Sequence, residues 1–161
     1  MSKIIIGVMG PGESATPTDL DWAYQIGHLI AAQGWILLTG GRNSGVMDAA
    51  SRGARSRGGL TIGILPTNSV EAVSEAVDIA IATGMNQARN NINVLSSHGV
   101  IACGMGLGTA SEVALALKNQ KPVVLLHPEA TAYDFFSKFT RDRLFWATSP
   151  EAALQQVKAI L

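Results

Sequence analysis

The chain has 161 residues, with 12 basic and 12 acidic side chains that cancel to a formal net charge of zero. That balance argues against general nucleic-acid binding, which needs a positive surface to displace counterions, and no apolar run approaches the ~20 residues of a membrane span. With 47% hydrophobic and only 15% charged residues, a domain this size is expected to cover part of its surface against other subunits.

The N-terminal Met1-Ser2-Lys3 runs straight into "IIIGVMG" with no cleavage site, so no signal peptide is expected. The single cysteine, Cys103, excludes an intramolecular disulfide. Together these point to the cytoplasm.

Lys3 to Val8 reads as a strand buried on both faces. After the loop "MGPGESATP", Pro17 opens a helix whose positive end Asp19 and Asp21 complement, and which stops at Gly34. Its small residues Ala23, Gly27 and Ala31 lie four apart, a row suited to close approach to a sheet. Trp35 to Thr39 reads as the second strand, followed by "GGRNSG" and a helix from Val46 to about Arg57. Leu60 to Leu65 is the third strand and Val77 to Ala82 the fourth. Asn86 to Ser97 is helix-like, with Ala88, Ile92 and Leu95 on one face. Val100 to Cys103 is a strand that leads into "GMGLGT". Thr109 to Asn119 is a helix with Val113, Ala114 and Leu117 inward. Pro122 to Leu126 is a strand, Thr131 to Phe139 a helix, Leu144 to Ala147 a short strand, and a last helix starts at Ser149.

This alternation predicts right-handed βαβ units in one α/β domain over residues 1–161, a three-layer, Rossmann-like fold with a mainly parallel sheet. In such folds ligands bind beyond the carboxyl ends of the strands. Three glycine-rich loops fall there: Gly10, Gly12, Glu13 and Ser14 after the first strand; Gly40, Gly41, Arg42, Asn43, Ser44 and Gly45 after the second; and Gly104, Met105, Gly106, Leu107, Gly108 and Thr109 after the fifth. Glycine lets the backbone approach a ligand, and helix N-termini offer N–H groups to an anion. The expected ligand is an anionic, phosphate-bearing small molecule.

The loops are not standard fingerprints. No lysine follows a terminal glycine, so there is no Walker A loop. The third glycine of the last loop comes one residue early for the dinucleotide spacing, and no acidic residue ends a strand ~20 residues on. His28, His98 and His127 share no ligand-like spacing, so no zinc site is expected. No Ser-His-Asp arrangement is traceable. Three residues have a bland reading beside the functional one. Thr109 and Glu112 fit a capping box, as N-cap and N3. Arg89 can be a solvated helix residue, and Arg42 a solvated loop tip.

Two segments carry a resemblance. "LLTGGRNSGVMDAASRGA" resembles the glycine-rich segment of the Lonely Guy (LOG) and lysine decarboxylase-like proteins. Those proteins also carry an arginine-lysine pair followed by Pro-Gly-Gly-x-Gly-Thr-x-x-Glu; the corresponding stretch here is "QARNNINVLSSHGVIACGMGLGTASE". Arg89 falls on the family arginine, and Gly106, Gly108, Thr109 and Glu112 on the motif. Asn90 stands in place of the lysine, and Gly104-Met105 in place of proline and the first glycine. The resemblance implies a modified Rossmann fold. In the cytokinin-activating members it implies hydrolysis of the N-glycosidic bond of nucleoside monophosphates, with Arg89 and Glu112 as the catalytic pair.

In length and in this variant motif the chain is more similar to the molybdenum cofactor carrier group. That likeness implies a homo-oligomer, a tetramer or alternatively a dimer. It implies a protein that binds the cofactor, a phosphorylated pterin whose dithiolene holds the molybdenum, protects it from oxidation and passes it to molybdoenzymes such as nitrate reductase. No protein ligand to a metal is then expected.

Overall fold

The computed structural model describes residues 3–126, 128–140 and 142–161. The reading of Met1-Ser2 as a non-leader start and that of His127 lie outside the described residues.

Each short apolar run forms a strand, buried in all but the edge strands. The strands are β1 (Ile5–Met9), β2 (Ile36–Thr39), β3 (Thr61–Leu65), β4 (Ile79–Ala82), β5 (Gly99–Cys103), β6 (Val123–Leu126) and β7 (Leu144–Ala147). Between them run α1 (Pro17–Ala32), α2 (Gly45–Ser56), α3 (Arg89–Leu95, preceded by a 3-10 turn at Asn86–Ala88), α4 (Leu107–Lys118), α5 (Ala130–Ser137) and α6 (Pro150–Ile160). The strands make one parallel sheet in the order β4-β3-β2-β1-β5-β6-β7. Alternate side chains leave the sheet on opposite faces. Ile6, Val8, Ile101 and Cys103 pack under α1, α2 and α6. Met9, Val100 and Ala102 pack under α3, α4 and Phe136 of α5. The three-layer α/β architecture expected from the alternation is the one observed.

Local chemistry sets the helix limits. Thr16 caps α1: its Oγ1 accepts from the Asp19 amide at 3.2 Å, and Asp19 Oδ2 accepts from the Thr16 amide at 2.9 Å. This reciprocal cap satisfies two orphan donors. The small-residue row of α1 serves a different neighbour from the one expected. A Cβ on Gly27 would collide with the Ala50 carbonyl oxygen of α2, and one on Gly53 with that of Tyr24. The close approach is therefore helix to helix.

Two helix faces also differ from the periodic reading. In α4, Val113, Ala116 and Leu117 are buried, while Ala114 faces outward. In α3 the buried residues are Arg89, Asn90, Asn93 and Val94, and Leu95 is exposed. Arg89, Asn90 and Asn93 turn inward where α3 meets the site, while Val94 joins the apolar core.

Candidate functional site

The sheet order reverses between β1 and β5. From β1 the chain leaves toward β2; from β5 it leaves toward β6. The crevice at such a switch point is where open α/β sheets take ligands. Here a pocket of about 200 Å³ opens, lined by the loops after β1 and β2, the start of α3 and the N-terminal turn of α4.

Its walls are held by loop-on-loop contacts. A Cβ on Gly10 would strike the Cys103 carbonyl oxygen and lie 2.6 Å from the Val46 side chain. The Val46 amide donates to the Pro11 carbonyl at 3.0 Å, which fastens α2 to the first loop. Two amides of the second loop bond within the protein. Gly41 donates to Thr39 Oγ1 at 3.0 Å and Asn43 to the Ala72 carbonyl at 2.8 Å, while the Gly41 carbonyl accepts from Ser74 at 2.9 Å. The "GGRNSG" segment thus anchors the stretch 70–76, and of its residues only Gly40 and Arg42 line the pocket.

The anion-binding groups sit at α4. Its N-cap is Gly106, which supplies no side-chain cap, and the first-turn residues Leu107, Gly108 and Thr109, whose N–H groups have no partner among the described residues, line the pocket. A Cβ on Gly108 would meet nothing within 4 Å. Nothing in the described protein requires glycine there, although glycine weakens a helix. The space beside it is room for a ligand.

Arg89 supplies charge. It is 8% exposed, and its guanidinium lies on Gly40, where a Cβ would come 2.8 Å from Nη1. Nη1 donates to Asn90 Oδ1 at 3.0 Å, and Nε has no partner among the described residues. Burial pulls the Arg89 pKa below the ordinary arginine value; Glu112 opposes that shift and Arg42 adds to it. Glu112 is 6% exposed. Its Oε1 accepts from Asn93 Nδ2 at 2.8 Å and lies 3.9 Å from Arg89 Nη1. Burial raises its pKa to about 7, against the Asn93 hydrogen bond and the Arg89 charge, which lower it. At the mouth, Arg42 Nη2 lies 3.8 Å from Glu13 Oε1. With two arginines, first-turn amides and a glutamate whose charged form burial disfavours, the pocket favours an anion.

These contacts correct two readings. Thr109 is not an N-cap and Glu112 does not close a capping box: α4 begins at Leu107, so Thr109 lies inside the first turn and Glu112 one turn further in, aimed at Asn93. Nor is Arg89 a solvated helix residue.

Of the expected site residues, the pocket collects Gly10, Gly12, Ser14, Gly40, Arg42, Arg89, Gly106, Leu107, Gly108, Thr109 and Glu112. Glu13, Gly41, Asn43, Ser44 and Gly45 stand around it. Gly104 and Met105 line a neighbouring cleft. Met9, Met47 and Gln87 line the pocket without a sequence signal that marks them. Asn93, fully buried behind Glu112, had one: it follows Arg89 and Asn90 on the same helix face. His28 bonds Ser56 and His98 accepts from the Ile5 amide, both structural roles. Among the described residues no group of three or more His, Cys, Asp or Glu side chains is placed to hold a metal.

The model of the SLOG cluster4 family matches residues 3–154. The molybdenum cofactor binding protein of the phototrophic bacterium Rippkaea orientalis is 62% identical, with a TM-score of 0.97 over 99% of this chain and 98% of that one. The molybdenum cofactor carrier protein of Chlamydomonas reinhardtii is 50% identical, with a TM-score of 0.95 over the same shares of the two chains. A cytokinin riboside 5'-monophosphate phosphoribohydrolase of Mycobacterium tuberculosis is 32% identical over 126 residues, 71% of this chain and 67% of that one.

Proposed function

We propose that this chain, which belongs to the SLOG cluster4 family, binds the molybdenum cofactor as cargo, shields it from oxidation and hands it to molybdoenzymes such as nitrate reductase. The observation that carries the reading is the 62% identity, at a TM-score of 0.97, with a molybdenum cofactor binding protein over nearly the whole chain.

The pocket suits the phosphate of such a ligand. The first-turn amides of α4 hold its oxygens, and the Arg89 guanidinium and Arg42 balance its charge. The cargo brings its own sulfur ligands for the molybdenum, so the protein binds, orients and excludes water and oxygen. Both edges of the sheet expose apolar side chains, Ile79 and Ile81 on β4 and Trp146 on β7, and α5 exposes Phe135 and Phe139. Such surfaces support a homo-oligomer, tetramer or dimer. A cytoplasmic location follows from the same reading.

Equilibrium binding of purified cofactor under anaerobic conditions tests the proposal. Stoichiometric binding that Arg89→Met weakens at least about tenfold is expected. No binding by the wild type overturns it.

The second reading is a nucleoside monophosphate hydrolase, favoured by the paired Arg89 and Glu112 and by the 32% identical phosphoribohydrolase. That relative is 32% identical, against 62% for the molybdenum cofactor binding protein, so the carrier reading stands first.

A further inference from the structure

The pocket of about 200 Å³ is smaller than the roughly 300–1,000 Å³ of sites that enclose a small-molecule ligand. A phosphorylated pterin seated there by its phosphate therefore extends beyond it. A second cleft, of about 680 Å³, adjoins the first. Ser14 lines both, and the loop between β5 and α4 divides them, with Gly106 in the pocket and Gly104 and Met105 in the cleft.

The cleft has a different chemistry. Its floor is the apolar carboxyl ends of β5 and β6, with Ala102, Leu125 and Leu126. Its rim carries the hydroxyls of Thr16 and Thr18 and the carboxylates of Asp19 and Glu129, and no basic residue among the described residues. An anion is disfavoured beside two carboxylates. A flat, uncharged ring with N–H donors is favoured: the apolar floor takes its face and a carboxylate takes its edge. Asp19 is the better-placed acceptor. Oδ2 holds the Thr16 amide, while Oδ1 makes no hydrogen bond among the described residues. Gly104 backs this carboxylate so closely that a Cβ there would lie 2.7 Å from Asp19 Cγ.

We propose that this cleft is a second subsite, in which Asp19 accepts hydrogen bonds from adjacent ring N–H and amino groups of a pterin, while the phosphate of the same molecule sits on α4. The inference rests on the cofactor reading for the identity of the ring. Adjacent donors are also the pattern of guanine and are absent from adenine, so the site discriminates against adenine nucleotides.

The test uses the full chain and three probes: unphosphorylated 6-hydroxymethylpterin, inorganic phosphate and the molybdenum cofactor. Pterin fluorescence is expected to report saturable binding that phosphate does not displace. Asp19→Asn turns an acceptor into a mixed donor–acceptor and is expected to weaken pterin binding about tenfold, with phosphate binding within about twofold of wild type. Met105→Trp, at an exposed rim position that takes no part in the α1 cap, is expected to weaken it similarly by filling the cleft. Competition between phosphate and pterin, or pterin binding insensitive to both substitutions, overturns the subsite. So does cofactor binding unaffected by both. Failure of the wild type to bind the cofactor, with pterin binding behaving as expected, overturns the carrier reading and leaves the subsite supported.

Discussion

Arg89 and Glu112 face each other across 3.9 Å at the inner end of the pocket, both more than nine-tenths buried. The separation is too long for a hydrogen bond. Two asparagines take the shorter contacts instead: Asn90 accepts from Arg89 at 3.0 Å and Asn93 donates to Glu112 at 2.8 Å. The guanidinium is steered and only partly neutralised, which leaves it charge to spend on an incoming anion.

That geometry sets a pH dependence. Folding raises the Glu112 pKa from 4.5 to about 7, so the folded chain holds a proton that the unfolded chain releases. Its contribution to stability is complete below about pH 4.5 and is lost as pH rises through about 7. Thermal melting is expected to show this decline, on the order of 3 kcal/mol at most for a shift of this size. Glu112→Gln is expected to flatten it.

Gly108 separates fold from ligand. Alanine fits without a contact and improves a helix, so Gly108→Ala is expected to raise stability by about 0.5 kcal/mol. Binding of inorganic phosphate or cofactor is expected to fall by about tenfold, because the new methyl occupies the approach to the α4 amides. Calorimetry and a melt on the same preparation read both effects.

Gly104 accounts for one departure from the phosphoribohydrolase motif. Its φ is +75°, a conformation closed to proline, whose ring holds φ near −65°. Gly104→Pro is expected to destabilise the chain by about 3 kcal/mol or more in a denaturant titration. Gly104→Ala is expected to cost about 2 kcal/mol, from left-handed strain and the contact with Asp19.

Asn90 accounts for another. Its amide accepts from Arg89 and donates to Ser111 Oγ at 2.9 Å. Asn90→Lys, the residue of the hydrolases, removes that acceptor and sets a second cation beside Arg89. A loss of about 1–3 kcal/mol is expected, partly restored by inorganic phosphate in a thermal shift measurement.

The strands were legible because apolar runs such as Ile4–Val8 and Val100–Cys103 have no other economical conformation once buried on both faces. The glycine loops followed, since they had to cap those strands. The rest depends on non-local contacts. Gly106-Leu107-Gly108 looks like loop, yet α4 starts before its second glycine, and this moved Glu112 from a cap into the site. In α3 the spacing of Ala88, Ile92 and Leu95 holds only for Ile92, which packs on the core, because apolar periodicity cannot register a polar surface buried against a pocket. The amides of Gly41 and Asn43 were expected to hold an anion; they hold Thr39 and the stretch 70–76, a contact set far along the chain.

A cradle that carries and a cradle that cleaves differ in what comes back out. The direct measurement loads the wild-type protein with molybdenum cofactor, exposes it to air, and follows both the surviving cofactor and its transfer to apo-nitrate reductase, with a parallel incubation on adenosine monophosphate. A longer cofactor lifetime than in buffer, productive transfer and no free adenine are expected. An unchanged lifetime, together with adenine release that Glu112→Gln abolishes, would contradict the carrier and make this chain a hydrolase.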